Sequence, residues 1–107
     1  MRPEITSSQE MIYLIMEIMN TIECDYIGKE NFWYKYFNAI LERLNRPHFL
    51  YKIAKDTISV YGGMGSFSDL VLHKNKSTML QEENNKLKQL RHDLYILCKK
   101  ILDENGS

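Results

Sequence analysis

Two cysteines and two prolines in 107 residues are few, and each shortage excludes something. So few thiols cannot make a disulfide scaffold, and so few prolines, with only five glycines, leave long segments free to form uninterrupted helices. Excess charge is lacking too: 14 basic residues meet 14 acidic ones. General nucleic-acid binders carry a positive surplus to engage phosphates, and this chain has none. A long apolar run is also missing. The richest window, Met11 to Ile22, is interrupted by Glu17, Asn20 and Thr21 and falls short of the roughly 20 residues that a membrane span requires. The opening MRPEITSSQE has no apolar stretch before a small-residue cleavage site, so no secretory signal is evident and a cytoplasmic location is expected.

What is present is a near-average globular mixture, 44% hydrophobic and 26% charged, long enough for one core and one domain over 1–107. Cys24 and Cys98 stand 74 positions apart without Cys or His at ligand spacing. They read as reduced, packed thiols.

Apolar periodicity predicts four helices. From Ser8 to about Asp25, Met11, Ile12, Leu14, Ile15, Met16, Ile18, Met19 and Ile22 recur at three and four, with Ser7 or Ser8 as the cap. Phe32, Trp33, Tyr36, Phe37, Ile40, Leu41 and Leu44 predict a second helix that stops at Arg46, before Pro47. Pro47 suits the first turn of a third, whose buried stripe is Leu50, Ile53, Ala54, Thr57, Ile58 and Tyr61. Gly62 and Gly63 stop it, one of them as a positive-φ cap, and Gly65 makes a tight turn. A structured Gly-rich loop with one short strand or helical turn follows. After a cap at Ser77 or Thr78, a last helix runs to about Leu102, with a heptad-like stripe at Leu80, Leu87, Leu90, Leu94, Leu97 and Ile101. Its first half is polar, with Glu83 at the seam, and Asp103 to Ser107 are expected to fray. The fold class is all-α: a compact bundle of about four helices around one core.

Chemistry-bearing motifs are sparse. The glycine cluster lacks the Lys of a P-loop and follows a helix rather than a strand, which argues against nucleotide binding. His48, His73 and His92 sit in separate segments without the i, i+4 spacing of a helical metal pair. No nucleophile elbow appears. The expectation is a protein that is not an enzyme and needs no cofactor or metal.

Charge is unevenly distributed along the chain. Residues 1–30 hold six acids and two bases, whereas residues 31–61 hold five bases and two acids. Glu10 and Glu17 are seven apart and share a helical face, while Glu23, Asp25 and Glu30 crowd the end of the first helix, where the dipole disfavours negative charge. One reading is an ordinary solvated face; the other is an acidic patch that captures a basic partner. Seven Tyr, four Phe and one Trp also supply candidate interface anchors, Tyr26 and Trp33 among them.

The segment Tyr61 to Leu70, YGGMGSFSDL, followed by Val71, Leu72 and His73, resembles the hallmark of a family of small bacterial proteins in which a helical region precedes YGGMGSF-x-DL and a polar stretch and helix follow. Members resemble immunity proteins of contact-dependent growth inhibition and related polymorphic toxin systems. The resemblance implies a small cytoplasmic helical protein that binds and blocks the toxin domain delivered by a sibling cell, a nuclease such as an RNase. It assigns no role to the motif residues themselves. Under that reading Glu10, Glu17, Glu23, Asp25, Tyr26, Trp33 and Asp69 are the candidate partner-binding residues, and one chain meets one toxin domain. Neutral net charge weakens substrate mimicry and favours a site beside the catalytic cleft. The alternative is a helical adaptor or regulator that homodimerises through the stripe of the last helix.

Overall fold

The computed structural model describes residues 6–45, 49–62 and 65–105; Arg46, Pro47, His48, Gly63 and Met64 lie outside them, with the expectations placed on them. The described residues form an all-α bundle of four helices with one small antiparallel hairpin.

Helix α1 spans Ser7–Ile22. Its cap is Thr6, one residue before the expected serines, because the residue three positions on can reciprocate: the Gln9 N–H donates to Thr6 Oγ1 at 3.2 Å and the Thr6 N–H to Gln9 Oε1 at 3.0 Å. Helix α2 spans Phe32–Leu44, and Asn31 Oδ1 accepts the Trp33 N–H at 2.8 Å. Helix α3 spans Leu50–Ile58 and continues through a 3-10 turn at Ser59–Tyr61. At their junction the Asp56 carboxylate accepts from Lys52 at 2.8 Å and pairs with Arg43 of α2 at 3.0 Å.

Helix α4 spans Gln81–Asn105, beginning later and ending later than expected. Ser77 and Thr78 do not cap it. Thr78 belongs to a strand, and Ser77 donates to Asn75 Oδ1 in the intervening turn. The α4 start is held instead by Asn84, whose amide accepts the Leu72 N–H at 2.7 Å and donates to the Leu72 and Leu80 carbonyls at 2.9 and 2.7 Å.

Helix α4 packs along α1 and α3, and α1 packs along α2. Leu87, Leu90, Leu94, Leu97 and Ile101 are consequently buried against Met11, Ile15, Ile18, Ile53 and Phe37 in a single core. The heptad-like stripe is thus consumed inside the bundle. A homodimer zipped along it has no free seam, because the same side chains cannot face both the core and a second copy.

In the glycine-rich segment the positive-φ cap does not fall on Gly62, and the alternative, Gly63, lies outside the described residues, whereas the tight turn expected at Gly65 is present. Gly62 has φ −116°, ordinary extended backbone, while Gly65 at φ +73° takes the left-handed conformation. The Gly65 N–H donates to Asp69 Oδ2 at 2.9 Å, closing a turn around a 3-10 segment at Phe67–Asp69. Phe67 is fully buried between the rings of Trp33, Phe37 and Tyr61, with the Arg91 guanidinium 5.5 Å from its centroid. Arg91 also donates to the Phe67 carbonyl at 3.0 Å, and the Tyr61 hydroxyl donates to the Arg91 carbonyl at 2.7 Å. Burial raises the Tyr61 hydroxyl pKa and lowers that of Arg91. Tyr61, Gly65, Phe67 and Asp69 of the YGGMGSF-x-DL motif therefore work as a clasp that fastens the loop to α4.

Candidate interaction surface at the hairpin end

After α1 the chain turns sharply. Asp25 is only 6% exposed, and its two carboxylate oxygens are both engaged: Oδ2 accepts the Ile27 N–H at 3.0 Å and Oδ1 accepts the His73 N–H at 2.7 Å. The Tyr26 N–H completes the junction by donating to the His73 carbonyl at 2.8 Å. The turn after α1 is thereby tied to strand β1, His73–Asn75, which pairs antiparallel with β2, Thr78–Met79.

Alternation decides which side chains are presented. Leu72 is fully buried, so its neighbours Val71 and His73 turn outward, and Met79 stands opposite His73 in the pairing register. Two large exposed side chains from the turn, Tyr26 (49%) and Ile27, thus share one end of the bundle with Val71 and Met79 (52%) from the loop and hairpin. The rim is charged and partly paired. Lys29 meets Glu23 at 3.4 Å, Lys35 meets Glu30 at 2.9 Å, and Lys74 and Lys76 are exposed on the hairpin. Protein-binding surfaces commonly combine an aromatic and aliphatic centre with a charged rim, which makes this end a candidate surface and Tyr26 its candidate anchor.

The candidate partner residues fare differently. Glu23 and Tyr26 are exposed at this end. Asp25 is corrected from surface acid to internal pin, since two backbone N–H groups already occupy its carboxylate. Glu17 is half-buried and pairs with Lys86 across the α1–α4 contact at 3.4 Å. Glu10 is exposed farther along α1, beside α4. Trp33 is also corrected: its ring packs half-buried on Tyr36 and Phe67, each 5.5 Å away, and is not a free anchor. Asp69, although exposed, serves the Gly65 turn. The α1 carboxylates are therefore dispersed and do not form one acidic patch. Ile27, Val71 and Met79 carried no sequence signal of exposure, because an isolated apolar residue reads equally well as core.

Cys24 is exposed and Cys98 buried, both as free thiols. Among the described residues, no group of three or more His, Cys, Asp or Glu side chains is arranged to hold a metal ion, and no helix is long and apolar enough to cross a membrane.

No curated protein and no solved structure matches this chain. Residues 27–80, just over half of it, match a family described as a domain of unknown function (DUF6966). The matched segment starts at the exposed Ile27, takes in α2, α3, the clasp and the hairpin, and ends where α4 begins. Trp33 and Asp69 fall inside it, whereas Glu10, Glu17, Glu23, Asp25 and Tyr26 precede it. The chain belongs to the DUF6966 family.

Proposed function

We propose that this protein is an immunity protein: it binds and neutralises a cognate toxin domain, a nuclease such as an RNase of a contact-dependent growth inhibition system, in the cytoplasm and without catalysis or a cofactor of its own. The observation that carries the reading beyond motif resemblance is the hairpin end, where Tyr26, Ile27, Val71 and Met79 stand exposed on a scaffold pinned by Asp25. Preorganised apolar anchors lower the ordering cost of association, which a neutralising inhibitor needs for tight binding.

The dispersal of the α1 carboxylates bears on how neutralisation occurs. Glu17 and Glu23 each have a lysine partner within the chain, and Glu10 stands apart from both near the start of α1, so the α1 carboxylates do not line up to imitate a phosphate backbone. Docking beside the catalytic cleft, through the apolar end surface, fits this charge pattern better than substrate mimicry. One chain engages one toxin domain.

The experiment is co-purification with the toxin domain encoded beside the gene, together with rescue of cells that produce that domain. Wild-type protein forms the complex and rescues growth; Tyr26→Glu and Met79→Glu, both at exposed positions, abolish both effects while the helical circular dichroism is retained.

A further inference from the structure

At the opposite end from the hairpin, α1 and α4 leave a groove of about 470 Å³ between them, lined by Glu10 and Tyr13 on one side and by His92, Asp93, Ile96 and Lys100 on the other. Tyr13 and Ile96 are 62% and 53% exposed, although both lie on helices whose apolar faces are otherwise buried. Position 13 falls between the inward Met11 and Leu14, and position 96 between the inward Leu94 and Leu97, so helix geometry turns both outward. Their size contributes nothing to the core.

The groove also carries unspent charge of both signs. Glu10 forms no ion pair and neither does Lys100, among the described residues, although they line the same groove. Asp93 accepts from Gln89 at 2.9 Å on its own helix. The α1 edge is thus acidic through Glu10, and the α4 edge is mixed, with Asp93 beside His92 near its middle and Lys100 farther toward its C-terminal end. A uniformly acidic or basic partner would satisfy some of these groups and oppose the others.

We propose that this groove is a self-association surface occupied by a second copy of the chain, related by a two-fold axis. A two-fold operation lays the α1 edge of each copy against the α4 edge of the other, which is the condition a self-complementary interface must meet. Glu10 then faces the partner's Lys100 and Tyr13 packs against the partner's Ile96, each contact occurring twice. Zero net charge leaves no overall repulsion between copies. Tyr13 and the end of α1 at Ile22 are separated by about 14 Å of helix, so the hairpin end stays open in the dimer. The inference is independent of the toxin reading.

The test is the mass of the full chain by sedimentation velocity and light scattering over a concentration series from low micromolar to submillimolar. Wild-type protein approaches twice 12.7 kDa with rising concentration. Ile96→Glu, at an exposed position, stays at the monomer mass. Glu10→Lys and Lys100→Glu each weaken the dimer about tenfold, equivalent to about 1.4 kcal/mol. An equimolar mixture of those two variants restores association, since one copy then presents Lys at both positions and the other Glu at both. A wild-type protein at 12.7 kDa throughout, a dimer that Ile96→Glu leaves intact, or a mixture that fails to associate would each overturn the proposal.

Discussion

Asp25 and His73, 48 positions apart, are joined by a 2.7 Å hydrogen bond from the His73 N–H to the buried Asp25 carboxylate. Through it, the turn after α1 holds the hairpin against the bundle. Asp25→Ala strands the N–H groups of both Ile27 and His73 and is expected to cost about 2 to 3 kcal/mol. Asp25→Asn retains one acceptor oxygen and recovers part of that loss. Urea unfolding of the three proteins gives the order wild type, Asn, Ala; equal midpoints would remove Asp25 as the pin.

The two described glycines of the motif make opposite predictions. Gly65→Ala places a Cβ at φ +73° and is expected to cost about 1 to 2 kcal/mol, although nothing crowds the new atom. Gly62→Ala, at φ −116° in open space, is expected to be neutral or to stabilise by about 0.5 kcal/mol through the unfolded chain. Thermal unfolding distinguishes them by the sign of the shift.

Removing Phe67 tests the clasp. Phe67→Ala empties a fully buried aromatic site between Trp33, Phe37 and Tyr61 and removes the surface under Arg91, for an expected loss of about 3 to 5 kcal/mol. A loss near 1 kcal/mol in denaturant unfolding would mean that the motif is not a structural fastener.

How much of this was legible in the sequence depends on the range of each interaction. The four helices follow from i, i+3 and i+4 spacing, a local property, and the stripe from Leu87 to Ile101 was visible as buried for the same reason. The ends were less legible. Thr6 caps α1 because Gln9 can reciprocate, and α4 starts after Leu80 because Asn84 ties it to Leu72, 12 positions away. The hairpin has strands of three and two residues, too short for alternation to announce them. Asp25 looked like a misplaced charge at a helix end because its reason, the backbone of residue 73, lies far along the chain. Periodicity puts Trp33 on the apolar face of α2, where its ring is half-buried, and only its size suggests an anchor. Tyr26 and Glu23 follow the last buried position of α1, which is why their exposure could be read.

The two thiols are expected to differ in reactivity. Cys24 is exposed, whereas burial pushes the Cys98 thiol up to about 12. Native protein should titrate one thiol quickly with an aromatic disulfide reagent and the second only on unfolding. Because folding favours protonated Cys98, its contribution to stability is full below the ordinary thiol value near 9 and is lost as pH rises toward about 12. Tyr61, raised in the same direction by burial, adds to this alkaline limb. Cys98→Ala should flatten part of the decline; a decline unchanged in that variant would assign it elsewhere.

In acid the dependence reverses. The hydrogen bond from Lys52, with support from Arg43, holds the Asp56 carboxyl below its ordinary value near 3.8 despite partial desolvation. A lowered carboxyl pKa gives stability that is present above about pH 4 and lost as pH falls through the folded value. Asp56→Asn should therefore lose stability near neutrality and show a shallower acid limb. Parallel acid limbs in the two proteins would contradict this.

Binding of a cognate toxin domain at the proposed hairpin-end surface is read out by the affinity of the purified chain for the toxin domain encoded beside its gene, paired with growth rescue. A tight complex and rescue are expected, both lost in Tyr26→Glu and Met79→Glu and both kept in Glu10→Lys. A wild-type chain that neither binds nor rescues would contradict immunity, and binding that survives Tyr26→Glu and Met79→Glu would contradict the placement of the surface.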